Sequence, residues 1–294
     1  MSVQTLTKVL INDPKRGRTQ VLLYGLFLPT FLLIFLPTCS MGMIRSRSAI
    51  VVEGLTGKVL YAKDPDCRLP PASTTKLMTA IVATDKLDPS GILMVSKNAA
   101  RIPRWRVFKK GDRVSVEELL YAALIKSAND AAVTLAEAAA GSEKDFVQLM
   151  NQKAISIKAE NTNFINSTGL PGPGQYTTVL DLATIMRYAL GYPQLREIIG
   201  TPVAELSTAR GKRVILKNTD KLLWSDKDLI GGKTGYTFEA GHCFVCAAER
   251  QNKRIIVAVL GSPSRKLLWK ETEELIQKGF NAMADIGQET GTVD

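Results

Sequence analysis

The chain has 294 residues, of which 45% are apolar and 22% are charged. This length and apolar content are enough for one large core or two modest ones, and they exclude long disordered stretches. The formal net charge is +10, and half of it comes from residues 1–47, which contain six basic residues and one acidic residue. The rest is spread over the body without basic blocks, which argues against nucleic acid as a partner. A mildly basic body suits anionic substrates or an anionic membrane or wall surface.

The N-terminal segment has the pattern of an export leader. Residues 21–36 form a sixteen-residue stretch without charge that follows the basic segment 15–18. Cations ahead of an apolar run keep the N-terminus inside and place the body outside. We therefore predict that residues 1–43 are a signal peptide or signal anchor, and that the protein is exported to the periplasm or another extracytoplasmic space. Membrane attachment is expected only through residues 21–40, and cleavage of the leader stays open.

The first predicted elements after the leader are a β-hairpin and a helix. Two β-rich runs, residues 44–52 and 58–62, flank a short turn and predict the hairpin. Pro70 and Pro71 then end the preceding structure. The helix formers that follow predict a helix that begins around Ser73 and ends near residues 87–89.

The middle of the chain is predicted to be mostly helical. Residues 91–114 have an irregular, strand-like pattern. Ser115 and Glu118 then form a capping box that opens an apolar helix ending near Ile125. Three further helices are predicted to begin at caps. These caps are Asp130, Ser142 and Thr178.

The C-terminal part returns to strands before a final helix. The three strand-like runs are residues 212–218, 243–249 and 254–261. The amphipathic helix follows at residues 266–284. Strands, a helical middle and strands again make residues 44–286 one α+β unit, with residues 287–294 as a short tail. Strands from both ends must then join in one sheet, and residues 91–200 form a second, helical lobe. A cleft between the two lobes is where we expect a site.

The four cysteines do not form a metal-binding pattern. Cys243 and Cys246 are a C-x-x-C pair in a run typical of a buried strand, and His242 is the only histidine of the chain. No second pair is available to complete a zinc site. We predict that these two thiols are core residues and that the protein uses no metal or other cofactor. A disulfide that involves Cys67, Cys243 or Cys246 stays open because the chain is predicted to be exported.

Ser73 and Lys76 are the first candidates for reactive residues. They lie three residues apart at a predicted helix start, so their side chains share one face. A serine there has unpaired backbone N–H groups and the positive end of the helix dipole beside it. A hydroxyl with an amine one turn away is a nucleophile with a candidate base. The alternative for this stretch alone is a serine N-cap followed by a solvated lysine.

Three short motifs occur in a fixed order along the chain. They are Ser73-x-x-Lys76, Ser127-x-Asn129 and Lys233-Thr234-Gly235. The first and third each occur once, and the second fills a tight gap between two predicted helices. Each motif is common by itself, but together they follow the order of helix start, inter-helix turn and strand that serine acyl-transfer enzymes use.

The motifs resemble those of the serine penicillin-recognising proteins, and within them the D-alanyl-D-alanine carboxypeptidases, the low-molecular-mass penicillin-binding proteins. The resemblance covers residues 44–286. The stretches that carry it are residues 69–80, 127–132, 163–170 and 232–235 followed by 240–241. It implies a β-lactamase/transpeptidase-like fold, in which helices flank an antiparallel sheet and a mostly helical lobe is added. The implied partners are peptidoglycan stem peptides that end in D-Ala-D-Ala, and β-lactam antibiotics.

The resemblance also implies a role for each residue in the first two motifs. Ser73 is the expected nucleophile and forms an acyl-enzyme, while Lys76 takes its proton and must therefore be neutral. Burial and the cation of Lys233 would lower the pKa of Lys76 enough for this. Ser127 is expected to relay a proton to the leaving amine. Asn129 is expected to hold Lys76 and the substrate backbone.

The third motif is expected to bind the substrate. Lys233 and Thr234 would hold the terminal carboxylate, and Gly235 would let the substrate lie close to the strand. The expected oxyanion hole consists of the backbone N–H groups of Ser73 and Tyr236. Arg265 is a candidate for a second cation near the carboxylate, with a solvated surface arginine as the alternative.

Three other functions are weighed against this one. A Ser-His-Asp triad would have to use His242 as its base, but a structural histidine is the better explanation of that residue. A class A β-lactamase shares all three motifs but needs a further glutamate on a loop, and here residues 160–164 follow the carboxypeptidase pattern instead. A wall-binding protein without chemistry would not need intact Ser73, Lys76 and Lys233. Endopeptidase action on cross-links stays open within the favoured function.

The sequence departs from many relatives at its C-terminal end. Those relatives carry a β-rich C-terminal domain and an amphipathic C-terminal anchor. Here the last residue, Asp294, follows soon after the predicted closing helix. We therefore expect neither feature, and we expect the N-terminal segment alone to provide any membrane attachment.

Overall fold

A five-stranded antiparallel sheet forms the centre of the fold in the computed structural model, which describes residues 43–207, 211 and 213–289. The predicted leader, apart from Met43, lies outside the described residues, as does the end of the predicted tail. The described residues form nine strands: β1 (Ser48–Glu53), β2 (Val59–Lys63), β3 (Ile92–Met94), β4 (Arg113–Ser115), β5 (Val203–Ser207), β6 (Arg213–Lys217), β7 (Leu229–Thr237), β8 (Gly241–Arg250) and β9 (Lys253–Ser262).

The central sheet joins the two ends of the described chain. Its strand order is β2-β1-β9-β8-β7, and all neighbours are antiparallel. Val51 of β1 pairs with Val257 of β9, so the first strand lies against the last. The α+β class, the N-terminal hairpin and the joining of N- and C-terminal strands are confirmed. β7, which carries the third motif, is the last strand at one end of this sheet.

The helices lie on both faces of the sheet. They are α1 (Lys76–Lys86), α2 (Val116–Ile125), α3 (Asn129–Ala140), α4 (Glu143–Ser156), α5 (Val179–Ala189), α6 (Pro193–Gly200) and α7 (Arg265–Glu289). Alternation along β1 separates two cores, because successive strand side chains point to opposite faces. Ile50 packs in the core shared with helices α1 to α6, whereas Val51 packs against Leu275 of α7. Among the described residues, no helix has the length and apolar character needed to cross a bilayer.

The buried positions of Cys243 and Cys246 confirm that these two thiols are core residues. Both lie on β8 without exposure to solvent and without a disulfide. Because they are three positions apart along a strand, they point to opposite faces, Cys243 into the core with the helices and Cys246 into the core with α7. The C-x-x-C spacing therefore does not bring the two sulfur atoms together. Cys67 is exposed and free.

Local capping signals account for the starts of α2, α4 and α5. The Ser115–Glu118 capping box is present with both of its hydrogen bonds, and Ser142 and Thr178 cap α4 and α5 as predicted. The predicted cap at Asp130 is wrong, because the N-cap of α3 is Ala128. The Asp130 carboxylate instead accepts hydrogen bonds from the backbone N–H groups of Val107 and Phe108.

Two short elements were not predicted, α6 and β5. α6 packs against β7, and β5 pairs with β6, the next strand along the chain. Their sequences show no alternation or capping box strong enough to identify them in isolation. α6 matters for the site because it packs against β7, the strand that carries Lys233.

Candidate active site

The segment around Ser73 is a short 3-10 helix that leads directly into α1. The 3-10 helix spans Ala72–Thr75 and follows Pro71, and α1 begins at Lys76. Ala72 has a left-handed backbone with φ of 48°, which bends the chain just before Ser73. The alternative of a serine N-cap with a solvated lysine is wrong on both counts. Ser73 makes no cap hydrogen bond for α1, and Lys76 is completely buried.

The Lys76 amine lies at the centre of the site. Its Nζ atom is 3.1 Å from Ser73 Oγ, 2.7 Å from Asn129 Oδ1 and 2.6 Å from the Thr168 carbonyl oxygen. Burial, reinforced by the cation of Lys233, lowers the Lys76 pKa well below its ordinary value, although the Asp130 carboxylate opposes this.

The neutral form of this amine fits its three neighbours. A neutral primary amine has two N–H donors and one lone pair. The oxygen atoms of Asn129 and Thr168 can only accept, so they use both donors. The lone pair is then left for the Ser73 hydroxyl, which is the arrangement that a general base requires.

Asn129 connects this amine to one wall of the site. It opens α3, and its Nδ2 atom donates to the carbonyl oxygens of Pro103 at 3.0 Å and Arg104 at 3.3 Å. Its own backbone N–H donates to the Trp105 carbonyl at 2.8 Å. These bonds fix the amide so that Oδ1 faces Lys76. They also hold Arg104 and Trp105, which both have left-handed backbones with φ of 61° and 46°.

Ser127 occupies the tight turn between α2 and α3. Its φ of 63° is left-handed, a conformation that a non-glycine residue adopts only under constraint. Here the constraint is the direct junction of two buried helices, in which the Ala128 N–H donates to the Ala122 carbonyl. The turn directs the Ser127 hydroxyl to Lys233, whose Nζ atom is 3.1 Å from Ser127 Oγ.

Lys233 is a second completely buried amine, and it reaches the site from β7. Its Nζ atom also donates to the Thr234 carbonyl at 2.9 Å. Burial lowers the Lys233 pKa to about 7, although the nearby Asp220 carboxylate opposes the shift. Asp220 is itself buried, which raises its pKa to about 7, and its Oδ2 atom has no hydrogen-bond partner. Asp220 therefore supplies a counter-charge to Lys233 without a direct ion pair.

The rest of the third motif lies against the Ser73 turn. A Cβ atom added to Gly235 would be 2.9 Å from the Ser73 backbone nitrogen and 3.1 Å from the Pro71 carbonyl oxygen, so only glycine allows this approach. Thr234 donates its hydroxyl to Thr219 Oγ1 at 2.6 Å. Tyr236 is half exposed and stacks on His242, with ring centroids 4.4 Å apart.

Part of this site opens into one cavity of about 680 Å³, and the buried Lys76, Asn129 and Lys233 are not among the residues that line it. The predicted site residues that line it are Ser73, Ser127, Thr234, Gly235 and Tyr236. Five lysine or arginine residues also line it, and none of its described lining residues is acidic. The five are Arg104, Lys126, Lys217, Lys221 and Arg265. The structure thus brings the three motifs together around a cavity with a positively charged wall.

His242 and Arg265 lie at the margin of the same cavity. Burial and the Arg265 cation lower the His242 pKa, and the ring stacks on Tyr236. The amine of Lys76 is hydrogen-bonded to the Ser73 hydroxyl, which disfavours the alternative of a histidine-based triad. Arg265 begins α7, is exposed and lines the cavity; its role as a second cation near the carboxylate stays a prediction.

Three contributors to the site were not predicted: the Thr168 carbonyl, Asp220 and the Arg104–Trp105 wall. The signal for Thr168 was present in Asn166-Ser-Thr-Gly169, because the Asn166 Oδ1 atom accepts from the backbone N–H groups of Thr168 and Gly169. This turn aims the Thr168 carbonyl at Lys76. The other contributors depend on contacts between distant segments and leave no local signal.

Comparison with known proteins identifies the relatives of this chain. A family model described as D-alanyl-D-alanine carboxypeptidase matches residues 37–264. The chain is 36% identical to the D-alanyl-D-alanine carboxypeptidase DacF of Bacillus subtilis, with 81% of this chain and 62% of that protein covered. It is 33% identical to DacC of Escherichia coli, with 85% of this chain and 66% of that protein covered. The chain thus spans less than two thirds of the length of either relative.

A solved structure is similar over the same region. The crystal structure of a D-alanyl-D-alanine carboxypeptidase from Mycobacterium tuberculosis superposes with a TM-score of 0.78 at 32% sequence identity. The match covers 82% of this chain and 93% of that one. The antiparallel sheet with its helical lobe is therefore the fold of a penicillin-binding DD-peptidase.

Proposed function

The chain belongs to the D-alanyl-D-alanine carboxypeptidase family, and on this basis we propose that it is an exported serine carboxypeptidase. It would remove the terminal D-Ala from peptidoglycan stem peptides that end in D-Ala-D-Ala. The observation that carries the proposal is the 3.1 Å contact between Lys76 Nζ and Ser73 Oγ, made by an amine that is completely buried. A buried amine with a lowered pKa beside a hydroxyl is an activated nucleophile.

Acylation begins with Ser73. Its Oγ atom attacks the carbonyl carbon of the penultimate D-Ala while Lys76 accepts the hydroxyl proton. The oxyanion that forms is placed near the backbone N–H of Ser73 and, by family resemblance, that of Tyr236. The close approach of Gly235 to the Ser73 nitrogen supports this placement, because it brings the two donors to the same side of the site.

Breakdown of the tetrahedral intermediate requires a proton on the leaving amine. Ser127 is suited to carry it, because its hydroxyl lies in the same cavity as Ser73 and is held by Lys233. The C–N bond breaks, D-Ala leaves, and water then hydrolyses the ester on Ser73. In this second step Lys76 again acts as the base.

The terminal carboxylate of the substrate is assigned to Lys233 and Thr234. The Lys233 ammonium attracts it, and the Thr234 hydroxyl, now bonded to Thr219, can donate to it. Asn129 is assigned to the substrate backbone as well as to Lys76. Because β7 ends the sheet, its free edge can pair with an extended peptide.

The same chemistry leads us to propose that β-lactam antibiotics acylate Ser73. A class A β-lactamase is not favoured as the alternative, because it needs a loop glutamate that activates the deacylating water. Glu160, the acidic residue of the corresponding loop, is exposed and lies 3.8 Å from Lys158 in an ion pair. A β-lactam is therefore expected to be trapped rather than turned over rapidly.

The test uses the full chain and a pentapeptide that ends in D-Ala-D-Ala. Mass spectrometry should show loss of one D-Ala, and a fluorescent penicillin should label the peptide that contains Ser73. Ser73→Ala is the matched control and should abolish both signals while keeping the circular dichroism spectrum. A folded wild-type protein that neither releases D-Ala nor binds penicillin would contradict the proposal. N-terminal sequencing of the protein from membrane and soluble fractions tests export and leader cleavage separately.

A further inference from the structure

The positive charge of the body is concentrated in the β3–β4 hairpin, residues 92–115, in which strands β3 and β4 flank a long loop. Residues 1–47 contribute +5 to the net charge of +10, and residues 96–113 contribute +6, so the rest of the chain is nearly neutral at −1. The segment 96–113 contains seven basic residues and one acidic residue, the buried Asp112. The expectation of a charge spread over the body is therefore wrong. It failed because only two of these cations, Lys109 and Lys110, are adjacent in the sequence.

Four of these cations line one hollow at the tip of the hairpin. The hollow has a volume of about 610 Å³, and its basic lining residues are Arg104, Arg106, Lys109 and Lys110. Trp105 lines it as well, and none of its described lining residues is acidic. All seven cations of the segment are exposed, and none forms an ion pair in the part of the chain that the structure describes. Unpaired cations in a concave surface attract anionic groups, and arginine in particular matches the oxygen atoms of a phosphate.

Two buried residues of α3 hold the tip of the hairpin in this shape. The Asp130 carboxylate accepts hydrogen bonds from the backbone N–H groups of Val107 at 2.7 Å and Phe108 at 2.6 Å. The side-chain amide of Asn129 donates to the Arg104 carbonyl at 3.3 Å. The fold thus forms the hollow without a ligand, so that binding requires little further ordering of the loop.

Large apolar side chains are exposed on the same hairpin. Ile92 is 52% exposed, Met94 is 69% exposed and Trp105 is 59% exposed. Ile92 and Met94 alternate along β3, so they share its outer face with Arg113, which pairs with Met94. Leu93, between them, packs against the core. The hairpin therefore presents both cations and apolar side chains to the solvent.

This combination fits a membrane surface better than a soluble polyanion. A soluble polymer of phosphate groups would use the cations but offer nothing to the exposed apolar side chains. At a bilayer surface, lysine and arginine contact anionic head groups, while tryptophan and aliphatic side chains enter the boundary with the acyl chains.

We propose that the β3–β4 hairpin docks on anionic phospholipids, with their phosphates in the hollow at its tip and Trp105 in the bilayer interface. Arg104 and Trp105 also line the cavity that contains Ser73. Docking therefore holds the mouth of that cavity beside the membrane. This is a second attachment, beyond the one predicted for residues 21–40. It does not depend on the proposed carboxypeptidase activity, and its test needs no turnover.

The test measures quenching of tryptophan fluorescence by brominated phospholipids in vesicles mixed with the full chain. The vesicles contain phosphatidylcholine alone or phosphatidylcholine with phosphatidylglycerol. The part of the quenching that is lost in Trp105→Phe reports docking of the hairpin. The leader is present in every sample, so it cannot account for a difference between variants.

Two pairs of lysines provide the test and control variants. The test variant is Lys109→Gln combined with Lys110→Gln, because both lysines line the hollow but not the cavity that contains Ser73. The control variant is Lys86→Gln combined with Lys144→Gln, which removes the same charge from two exposed lysines outside the hairpin.

We expect quenching of Trp105 by vesicles with phosphatidylglycerol and not by vesicles of phosphatidylcholine alone. One cation beside an anionic membrane changes binding about fivefold. The ratio of docked to undocked hairpin should therefore fall roughly 25-fold in the test variant and stay the same in the control variant. Added salt should also release the hairpin from the vesicles.

Three results would overturn the inference and leave the proposed function intact. The first is equal quenching of Trp105 by neutral and anionic vesicles. The second is equal docking of the test and control variants. The third is binding of soluble polyphosphate that the test variant loses, with no quenching of Trp105 by vesicles, because the partner would then be a soluble polyanion. Circular dichroism of each variant shows whether a loss of docking reflects unfolding.

Discussion

Lys76 and Thr168 are 92 residues apart in the sequence, yet the Lys76 Nζ atom lies 2.6 Å from the Thr168 carbonyl oxygen. This contact occupies one N–H of the amine, and Asn129 occupies another. The amine is thereby held in the orientation that leaves its lone pair for Ser73. The predictions below follow from this arrangement and from its partners.

Lys76→Arg should slow acylation strongly. Arginine keeps the positive charge but cannot lose its proton in a protein, so it cannot act as the base. We expect the rate of penicillin acylation to fall by about two to four orders of magnitude, the usual contribution of a general base. Stopped-flow fluorescence with a labelled penicillin measures this rate.

The control for that change is Lys86→Arg, at the exposed end of the same helix. It should acylate at the wild-type rate. If Lys76→Arg acylates as fast as Lys86→Arg while both keep their circular dichroism spectra, Lys76 is not the base.

Activity should depend on pH through two buried amines. Lys76 has to be neutral. Because its pKa is lowered well below the ordinary value, the amine loses its proton at a lower pH than a solvated lysine does. Lys233 has to be protonated to attract the carboxylate. With a pKa of about 7, it loses its charge as the pH rises through about 7. We therefore expect kcat/KM to fall on the alkaline side, mainly through KM, in a profile measured at constant ionic strength.

Asp220→Asn should move that alkaline limb. The Asp220 carboxylate raises the Lys233 pKa, so its removal lets burial lower this pKa further. The loss of activity should then begin at a lower pH than in the wild-type protein. Asp88→Asn, at an exposed residue that does not line the cavity, should leave the profile in place. An alkaline limb that is the same in both variants would show that Asp220 does not set the charge of Lys233.

Ser127→Gly and Ser127→Ala should differ in stability but not in activity. Both remove the hydroxyl that Lys233 contacts, so both should lose most of their carboxypeptidase activity. Only alanine keeps a Cβ atom at a φ of 63°, a left-handed conformation that costs an L-residue about 1–2 kcal/mol. Chemical denaturation should therefore give Ser127→Gly the higher free energy of unfolding. A more stable alanine variant would contradict the strained turn.

Gly235→Ala should impair acylation. The added Cβ atom would lie 2.9 Å from the Ser73 nitrogen and 3.0 Å from Ala72 Cβ, which forces β7 away from the turn. Overpacking of this kind costs about 1–3 kcal/mol of stability, and here the shift also disturbs the proposed oxyanion donors. Gly141→Ala is the control, because it lies in open space and changes only backbone strain. Penicillin acylation should slow in Gly235→Ala alone.

Thiol labelling should separate the described cysteines. Burial raises the pKa of Cys243 to about 12 and shifts that of Cys246 upward as well, whereas Cys67 is exposed. In the native protein, maleimide should label Cys67 and spare the other two, as read by peptide mass spectrometry. All three should react after denaturation. Native labelling of Cys243 would show that its thiol is more accessible to solvent than the structure indicates.

Much of the fold followed from local patterns in the sequence. The hairpin, the capping box at Ser115, and the caps at Ser142 and Thr178 depend on residues within a few positions of one another, so they were predictable. α6 was missed because it is held in place by β7, a later strand, whereas β5 was missed although its partner β6 is the next strand along the chain. The cap at Asp130 was misassigned because its carboxylate bonds a loop more than twenty residues away.

The sequence by itself determined the class of fold, the three motifs, their order and the family they resemble. All of these depend on residue type and short spacing. Only the tertiary structure decided that Lys76 is desolvated, that Thr168 and Asn129 orient its lone pair, that Asp220 lies near Lys233, and that Lys217 and Lys221 line the cavity. These are properties of distance and burial between segments that are far apart in the chain. No local pattern encodes them, because they exist only once the sheet and the helical lobe pack together.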